Sequence, residues 1–129
     1  MREEAGNLWA VTADVRVITT NGTVKKGGNA VMGRGCAREA AERWPTLPVT
    51  LGYKLRHEGL LVHVLWDFSA SHGQTSTQEG LVSFPVKHEF WQVADLELIR
   101  TSAAQLVALV NTWPTVRRVV MPAASVVRP

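Results

Sequence analysis

The fold is decided by residues 15–44, which read VRVITTNGTVKKGGNAVMGRGCAREAAERW. A β-branched run at 15–20 predicts a strand. The other end predicts a helix over 34–44, because four apolar residues fall at i, i+3, i+4 and i+7 on one helical face. Those residues are Ala37, Ala40, Ala41 and Trp44. A strand that leads through a loop into a helix is the unit from which α/β folds are built.

The loop between them is rich in glycine, with Gly22, Gly27, Gly28, Gly33 and Gly35. Glycine lets backbone N–H groups approach a ligand, and a helix start has unpaired donors and a partial positive charge. The pattern favours a phosphate-bearing ligand, although ordinary turns explain the glycines equally well. It is not a dinucleotide-binding fingerprint, because Gly33 and Gly35 lack the third glycine, and no Gly-Lys-Ser/Thr of a P-loop follows.

The composition predicts one globular domain. The chain has 129 residues, of which 46% are hydrophobic and 19% charged, and these proportions exclude a disordered chain. No apolar run is long enough to span a membrane, and the polar residues 1–6 predict a cytoplasmic protein. The single cysteine, Cys36, excludes an internal disulfide and a multi-cysteine metal site. The net charge of +3 mildly favours an anionic partner.

Strands and helices are predicted to alternate along the rest of the chain. The predicted strands are 7–11, 60–68, 81–86 and 118–121, and residues 69–80 predict a polar surface loop. Pro45 and Pro48 are expected to end the first helix, and a second helix is predicted over 49–57. Asp95 is the predicted N-cap of a third helix. Its buried face would carry Leu96, Ile99, Ala103, Leu106 and Val110. This alternation predicts an α/β fold of three layers.

Four side chains follow predicted strands, where ligands of α/β sheets bind: Asn21, Asp67, Lys87 and Pro122. Lys87 has apolar neighbours, and partial burial would favour its neutral, nucleophilic amine. A solvated lysine that lies over the sheet edge is the alternative. Asn21 is suited either to bind sugar hydroxyls or to make a local turn with Gly22.

The cysteine and the histidines carry a weaker signal. Cys36 falls in the first turn of the predicted helix, where a thiolate is favoured. No histidine has a motif that supports a catalytic cysteine, so we expect Cys36 to be a packed residue. His63 lies in an apolar strand and is expected to be a core residue, whereas His72 lies in the polar loop. No pair of histidines or carboxylates has metal-ligand spacing, so neither a metal nor a cofactor is predicted.

Three stretches resemble the macrodomain family, in the branch of terminal ADP-ribose glycohydrolases and DNA ADP-ribosyl glycohydrolase antitoxins. Residues 6–9, GNLW, are similar to the family's Gly-Asp-Leu/Ile opening. Residues 17–22, VITTNG, and 30–37, AVMGRGCA, resemble its strand, asparagine and Met-Gly-Lys/Arg-Gly-Ile/Cys-Ala element. Residues 82–88, VSFPVKH, with Trp91 and the helix from Asp95, resemble its Asn-Phe-Pro-Thr-Lys segment. The resemblance implies a single macrodomain over 1–129, with three α/β/α layers and a mixed central sheet.

The resemblance also implies a site for ADP-ribose. Asn7 and Leu8 would face the adenine, the backbone N–H groups of 33–36 the diphosphate, and Asn21 the distal ribose. Lys87 matches the family's lysine, which is thought to attack the anomeric carbon of that ribose. The implied catalytic residues are Lys87 and Asn21. The implied ligand-binding residues are Asn7, Leu8, Asn21, Gly22, Val31, Met32, Gly33, Arg34, Gly35, Cys36 and Pro122.

The chain departs from the family's pattern at two places. Asn7 stands where the family has an adenine-reading Asp, so this contact would lack charge assistance. After Met-Pro the family has a glycine-rich loop, a helix and a final strand, whereas here Pro122 is followed by AASVVRP. That loop cradles the second phosphate and in some relatives supplies a catalytic acid. The resemblance therefore implies that the C-terminal part of the domain is incomplete.

Three hypotheses of function follow. The first is a glycohydrolase that removes ADP-ribose from a protein or from DNA through Lys87, without a cofactor. The second is a reader that binds ADP-ribose and does not hydrolyse it. The third is a nucleic-acid-binding domain that uses Lys25, Lys26, Arg34 and Arg38, with an affinity that falls steeply with salt. None of them predicts a membrane partner.

Overall fold

The computed structural model of the chain describes residues 8–9, 13–66 and 80–122. Its elements in chain order are β1 (Val15–Asn21), α1 (Gly35–Arg43), α2 (Leu47–Glu58), β2 (His63–Trp66), β3 (Gly80–Lys87), α3 (Leu96–Val110) and β4 (Val119–Val120). No helix within these ranges has both the length and the apolar character needed to cross a bilayer.

The strands form one mixed sheet in the order β2-β3-β1-β4. Strand β1 runs parallel to both β3 and β4, and β2 runs antiparallel to β3. Because β1 and β3 are parallel neighbours, their carboxyl ends meet at one edge of the sheet. The last residue of β1, Asn21, is paired with the last residue of β3, Lys87.

Helices cover both faces of the sheet. Helices α1 and α2 bury Ala40, Leu47 and Leu51 in one apolar cluster, which includes Ile18 of β1 and Leu81 of β3. Helix α3 buries Leu106 in a second cluster, whose strand residues are Val15, Val17, Val82, Phe84 and Val86. Residues 80–86 of β3 are all buried, as expected of a central strand covered on both faces. The predicted α/β/α layering with a mixed central sheet is confirmed.

All three predicted helices are present, but some of their boundaries differ from the predicted ones. Helix α1 begins one residue after the predicted start, with Arg34 in extended conformation as its N-cap. Helix α1 ends at Arg43, before Pro45, as predicted, whereas α2 begins at Leu47, two residues before its predicted start at 49. Pro48 lies in the first turn of α2, where an N–H has no intrahelical acceptor and its loss costs little.

The predicted buried face of α3 is partly wrong. Leu96 is 64% exposed and Ala103 is also exposed, whereas Leu98, Ser102 and Leu106 are the buried residues of this helix. A polar residue is tolerated on this face because the Ser102 hydroxyl donates a 2.8 Å hydrogen bond to the carbonyl of Pro85 in β3. Asp95 is the N-cap as predicted, and its Oδ1 accepts from the N–H of Glu97 at 2.9 Å.

Three predicted strands are shorter than expected or differ in place. Leu8 and Trp9 form a turn, so the strand predicted at 7–11 is wrong at these residues, and the rest of it lies outside the described ranges. Strand β2 occupies 63–66 of the predicted 60–68, of which 67–68 are not described, and β4 occupies two residues of the predicted 118–121. Gly80 belongs to β3 and not to the predicted polar loop, whose other residues, 69–79, are outside the described part.

Candidate functional site

The segment between β1 and α1 folds into a small hairpin over 23–31. Val24 and Ala30 form an antiparallel bridge, and the Val31 N–H donates to the Thr23 carbonyl at 3.1 Å. The hairpin lies on α2, where the Ala30 N–H donates to the carbonyl of Pro48 at 2.8 Å. The contact is close enough to require glycine at position 52, because a Cβ there would lie 1.9 Å from the Gly28 carbonyl oxygen.

Asn21 connects the end of β1 to both ends of this hairpin. Its Oδ1 accepts the N–H of Thr23 at 2.9 Å, and its Nδ2 donates to the carbonyl of Val31 at 3.1 Å. The first bond is the local turn that the sequence left open as one of two roles. An amide group has two donors and two acceptor positions. As far as the described residues go, one N–H and one lone pair of Asn21 therefore remain for a ligand, and its role toward a ribose stays a prediction.

A bulge at the end of β3 places Lys87 beside Asn21. Thr20 pairs with Pro85 and Asn21 pairs with Lys87, so Val86 has no partner on β1. Proline has no N–H for the ladder and in a central strand is found at such irregularities. Among the described residues, the half-buried Lys87 side chain has no hydrogen-bond or ion-pair partner. Its amine is therefore available to a ligand at this edge.

The loops that follow β1 and β3 are held together by three hydrogen bonds. The Gly22 N–H donates to the His88 carbonyl at 3.0 Å. The Thr23 hydroxyl donates to Glu89 Oε1 at 2.7 Å and accepts the N–H of Phe90 at 2.8 Å. A Cβ at Gly22 would lie 2.6 Å from the His88 carbonyl oxygen, so this crossing needs glycine. Neither Thr23 nor Glu89 lies in a sequence motif that marks it as a site residue.

The N-terminus of α1 opens on the same edge. Cys36, in its first turn, has its Sγ 3.4 Å from the backbone nitrogen of Thr19, two residues before the end of β1. Within the part of the chain that is described, the backbone N–H groups of 33–37 have no acceptor. Gly35 has a φ of 59°, which favours glycine, and side-chain positions at Gly33 and Gly35 would meet no atom within 4 Å. Open donors at a helix start form a site suited to an anion.

Asp95 is an acidic residue in direct contact with the end of β3. Its own N–H donates to the Val86 carbonyl at 2.8 Å, which fixes the start of α3 against β3. Besides capping α3 through Oδ1, it places Oδ2 3.3 Å from Nε2 of His88. The His88 side chain is 57% exposed and that of Asp95 is 40% exposed.

The other predicted site residues lie in different surroundings. Leu8, Met32 and Cys36 are buried in the cluster beneath α1 and α2, whereas Gly33, Arg34 and Gly35 are exposed. Pro122 is half-buried, two residues after β4. Asn7 and Asp67 lie outside the described residues. The structure thus brings Asn21, Gly22, Lys87 and the start of α1 to one edge, and the roles assigned to them remain predictions.

His63 and His72 are expected to lie in different surroundings, the first in the core and the second in a polar loop. His63 is buried, as expected of a core residue, and its Nε2 lies 2.8 Å from the carbonyl oxygen of Gly59. His72 lies outside the described residues. Over the described ranges, no group of three or more His, Cys, Asp or Glu side chains could hold a metal ion.

The geometry defines a three-layer α/β domain with its candidate site at the carboxyl ends of two parallel strands. Neither a family model nor a curated protein sequence matches the chain. Solved structures do match. The macrodomain of Mycobacterium tuberculosis DarG has a TM-score of 0.68 at 19% identity, over 86% of this chain and 68% of that one. The macrodomain of Thermus aquaticus DarG has a TM-score of 0.68 at 22% identity, over 91% and 72% of the two chains.

A third match is Thermosipho africanus DarTG, described in complex with ADP-ribose. It has a TM-score of 0.73 at 16% identity, over 92% of this chain and 31% of that one. This chain has the macrodomain fold, as the sequence resemblance implied.

Proposed function

We propose that this chain is an ADP-ribosyl glycohydrolase, which binds ADP-ribose and removes it from a modified protein or from DNA through Lys87. One observation carries the proposal: the N–H groups at the start of α1 and the Lys87 amine, none of which has a partner among the described residues, share one sheet edge with Asn21. ADP-ribose needs both features, an anion site for its diphosphate and a reactive group at its distal ribose. The ADP-ribose complex of T. africanus DarTG, a structure of the same fold, supports this choice of ligand.

In the proposed reaction, the N–H groups of 33–36 bind the diphosphate and thereby orient the ribose. Hydrogen bonds to a charged group are worth roughly 1.5–3 kcal/mol each, so a few of them hold the nucleotide firmly. The remaining amide donor and acceptor of Asn21 would bind ribose hydroxyls. The neutral amine of Lys87 attacks the anomeric carbon, and the bond to the macromolecule breaks. No salt bridge among the described residues has to open before this attack.

Binding is tested by titration calorimetry with ADP-ribose on a pair of glycine variants. Gly33→Val and Gly27→Val both place a side chain where no atom lies within 4 Å, and neither glycine has a positive φ. Both variants are therefore expected to fold. If a phosphate lies at Gly33, its variant loses about two charge-assisted bonds, and affinity falls roughly 10²–10⁴-fold. Gly27→Val, in the hairpin tip, should bind normally. Equal affinities would show that the diphosphate lies elsewhere.

Turnover is tested on ADP-ribosylated protein and on ADP-ribosylated single-stranded DNA. Lys87→Ala and Lys87→Arg should bind ADP-ribose and release none, because a guanidinium keeps the charge without being a nucleophile. Lys54→Ala is the matched control, since Lys54 pairs at 3.9 Å with Glu58 on α2 and is predicted to have no role at the site. Binding by the unsubstituted chain without turnover on either substrate would make it a reader. Normal turnover by Lys87→Ala would place the nucleophile elsewhere.

A further inference from the structure

The proposed hydrolysis, on which this inference rests, needs a second group that handles protons. When the glycosidic bond breaks, the departing oxygen or nitrogen must gain a proton. A neutral Lys87 amine that attacks carbon does not supply it at that moment. When water later releases the sugar from the lysine, a base must take the water's proton. A carboxyl group that alternates between its two forms would serve both steps.

Two described carboxyl groups lie in the loop that follows β3, and one of them is already occupied. Asp95 uses Oδ1 to accept the N–H groups of Glu97 and Leu98, and Oδ2 lies 3.3 Å from His88 Nε2. Proton transfer from Asp95 would disturb the cap that begins α3. Glu89 is two residues beyond Lys87 and is half-buried.

The hydrogen bonds of Glu89 determine which of its oxygens is available. The Thr23 hydroxyl has one proton, which it donates to Oε1 of Glu89 at 2.7 Å, while it accepts the N–H of Phe90 at 2.8 Å. While Oε1 accepts the hydroxyl proton of Thr23, Oε2 is the oxygen on which Glu89 can carry its own proton. Oε2 has no partner among the described residues. Within the described part of the chain, the carboxyl group is thus held by one oxygen and has no partner on the other, where the loops that follow β1 and β3 meet.

We infer that Glu89 is the acid–base residue of this site, positioned by Thr23. In the first step the Lys87 nitrogen bonds to the anomeric carbon, the bond to the macromolecule breaks, and the proton on Oε2 passes to the leaving atom. This leaves a glycosylated ammonium on Lys87 and a carboxylate on Glu89. In the second step water bonds to the same carbon, the carbon–nitrogen bond breaks, and the water's proton returns to Oε2. Free ADP-ribose, neutral Lys87 and neutral Glu89 result, so atoms and charges balance.

The test compares Glu89→Gln with Glu42→Gln in turnover and in ADP-ribose binding. The amide of Glu89→Gln can still accept from Thr23, so folding and ADP-ribose affinity should be unchanged. Its kcat should fall roughly 10²–10⁴-fold, the usual contribution of general acid–base catalysis. Glu42→Gln removes an exposed carboxylate that pairs with Arg38 at 3.4 Å on the surface of α1, and should behave as the unsubstituted chain. The limb of the pH–rate profile that reports proton transfer should change in Glu89→Gln and not in Glu42→Gln. His88, Asp95 and Lys87 are other titratable groups close to Glu89.

The nitrophenyl glycoside of ADP-ribose is a substrate that separates acid catalysis by Glu89 from a purely structural role. Nitrophenolate leaves without a proton, so the deficit of Glu89→Gln in the first step should nearly vanish on this substrate, whereas Lys87→Ala should stay inactive. Thr23→Val, which loses the bond to Oε1, should lower kcat partially and keep the pH limb. Unchanged turnover of the natural substrates by Glu89→Gln, or an equal deficit in the rate of the first step on both substrates, overturns the inference alone. No turnover by the unsubstituted chain on any substrate overturns the proposed hydrolase together with it.

Discussion

Gly52→Ala tests whether the 23–31 hairpin lies on α2 as described. In most helix interiors this change is favourable by about 0.5–1 kcal/mol, because glycine loses more backbone entropy on folding. Here the added Cβ would lie 1.9 Å from the carbonyl oxygen of Gly28 and 2.9 Å from the nitrogen of Ala30. Real Cβ atoms essentially never come within 3.0 Å of another atom, so the hairpin must move by at least 1.1 Å, the difference between 3.0 and 1.9 Å. Both obstacles are backbone atoms, which cannot rotate away.

The steric cost outweighs the gain in helix propensity. Overpacking of this kind costs roughly 1–3 kcal/mol. The movement also strains the bond from Ala30 to Pro48, at 2.8 Å, and that from Arg56 to the Lys25 carbonyl, at 3.1 Å. Each is worth about 1 kcal/mol. After subtraction of the helix gain, the free energy of unfolding should fall by about 2–4 kcal/mol, which lowers the midpoint by on the order of 10 °C.

Thermal unfolding followed by circular dichroism measures this change, and Gly27→Ala is the control because its Cβ would meet nothing within 4 Å. The same shift should weaken ADP-ribose binding, since Asn21 holds Val31 at the end of the hairpin. Unfolding of Gly52→Ala at or above the temperature of the unsubstituted chain would refute the packing of the hairpin on α2.

Two further substitutions test how the site is held. Asn21→Ala removes the acceptor of Thr23 and the donor to Val31, and should cost about 1–3 kcal/mol of stability together with ADP-ribose affinity, measured by urea unfolding and calorimetry. Full affinity in Asn21→Ala would exclude a role in binding. Asp95→Ala removes the cap of α3 and should cost about 0.5–2 kcal/mol in the same unfolding assay. Asp95→Asn, which keeps a capping oxygen, should recover most of that loss, and failure to do so would point to the contact with His88.

The central unit of the fold was predictable because local signals agree there. The β-branched run and the alanine spacing of 15–44 predict β1 and α1 to within a residue, and β3 is an apolar run interrupted only by Ser83 before it ends at Lys87. The register between β1 and β3 carries no such signal, because it joins residues more than sixty positions apart. Ser102 shows the same limit: hydrophobic patterning treats a serine as a surface residue, whereas its bond to Pro85 makes it a core residue.

The sequence predicts the two strand ends of the candidate site, but not the hydrogen bonds that join its loops. The rule that ligands bind at carboxyl ends of parallel strands singles out Asn21 and Lys87 without any structure. The bond between Thr23 and Glu89 spans 66 positions, and neither residue lies in a pattern that marks it. Threonine in a loop and glutamate near a strand end are ordinary surface residues until the fold brings them together.

Pro85 lies at both the irregular end of β3 and the contact of that strand with α3. A proline inside a buried central strand lacks the N–H that a regular ladder needs. In β3 a bulge follows Pro85, and Val86 has no partner on β1. The Pro85 carbonyl accepts a hydrogen bond from the Ser102 hydroxyl, so the irregular end of β3 is anchored to helix α3. Without the bulge, regular pairing would place Val86 opposite Asn21, and a one-residue shift sends a side chain to the other face of the sheet. The placement of Lys87 beside Asn21 therefore depends on the bulge at Val86. Pro85 favours this bulge because it lacks the N–H of a regular ladder.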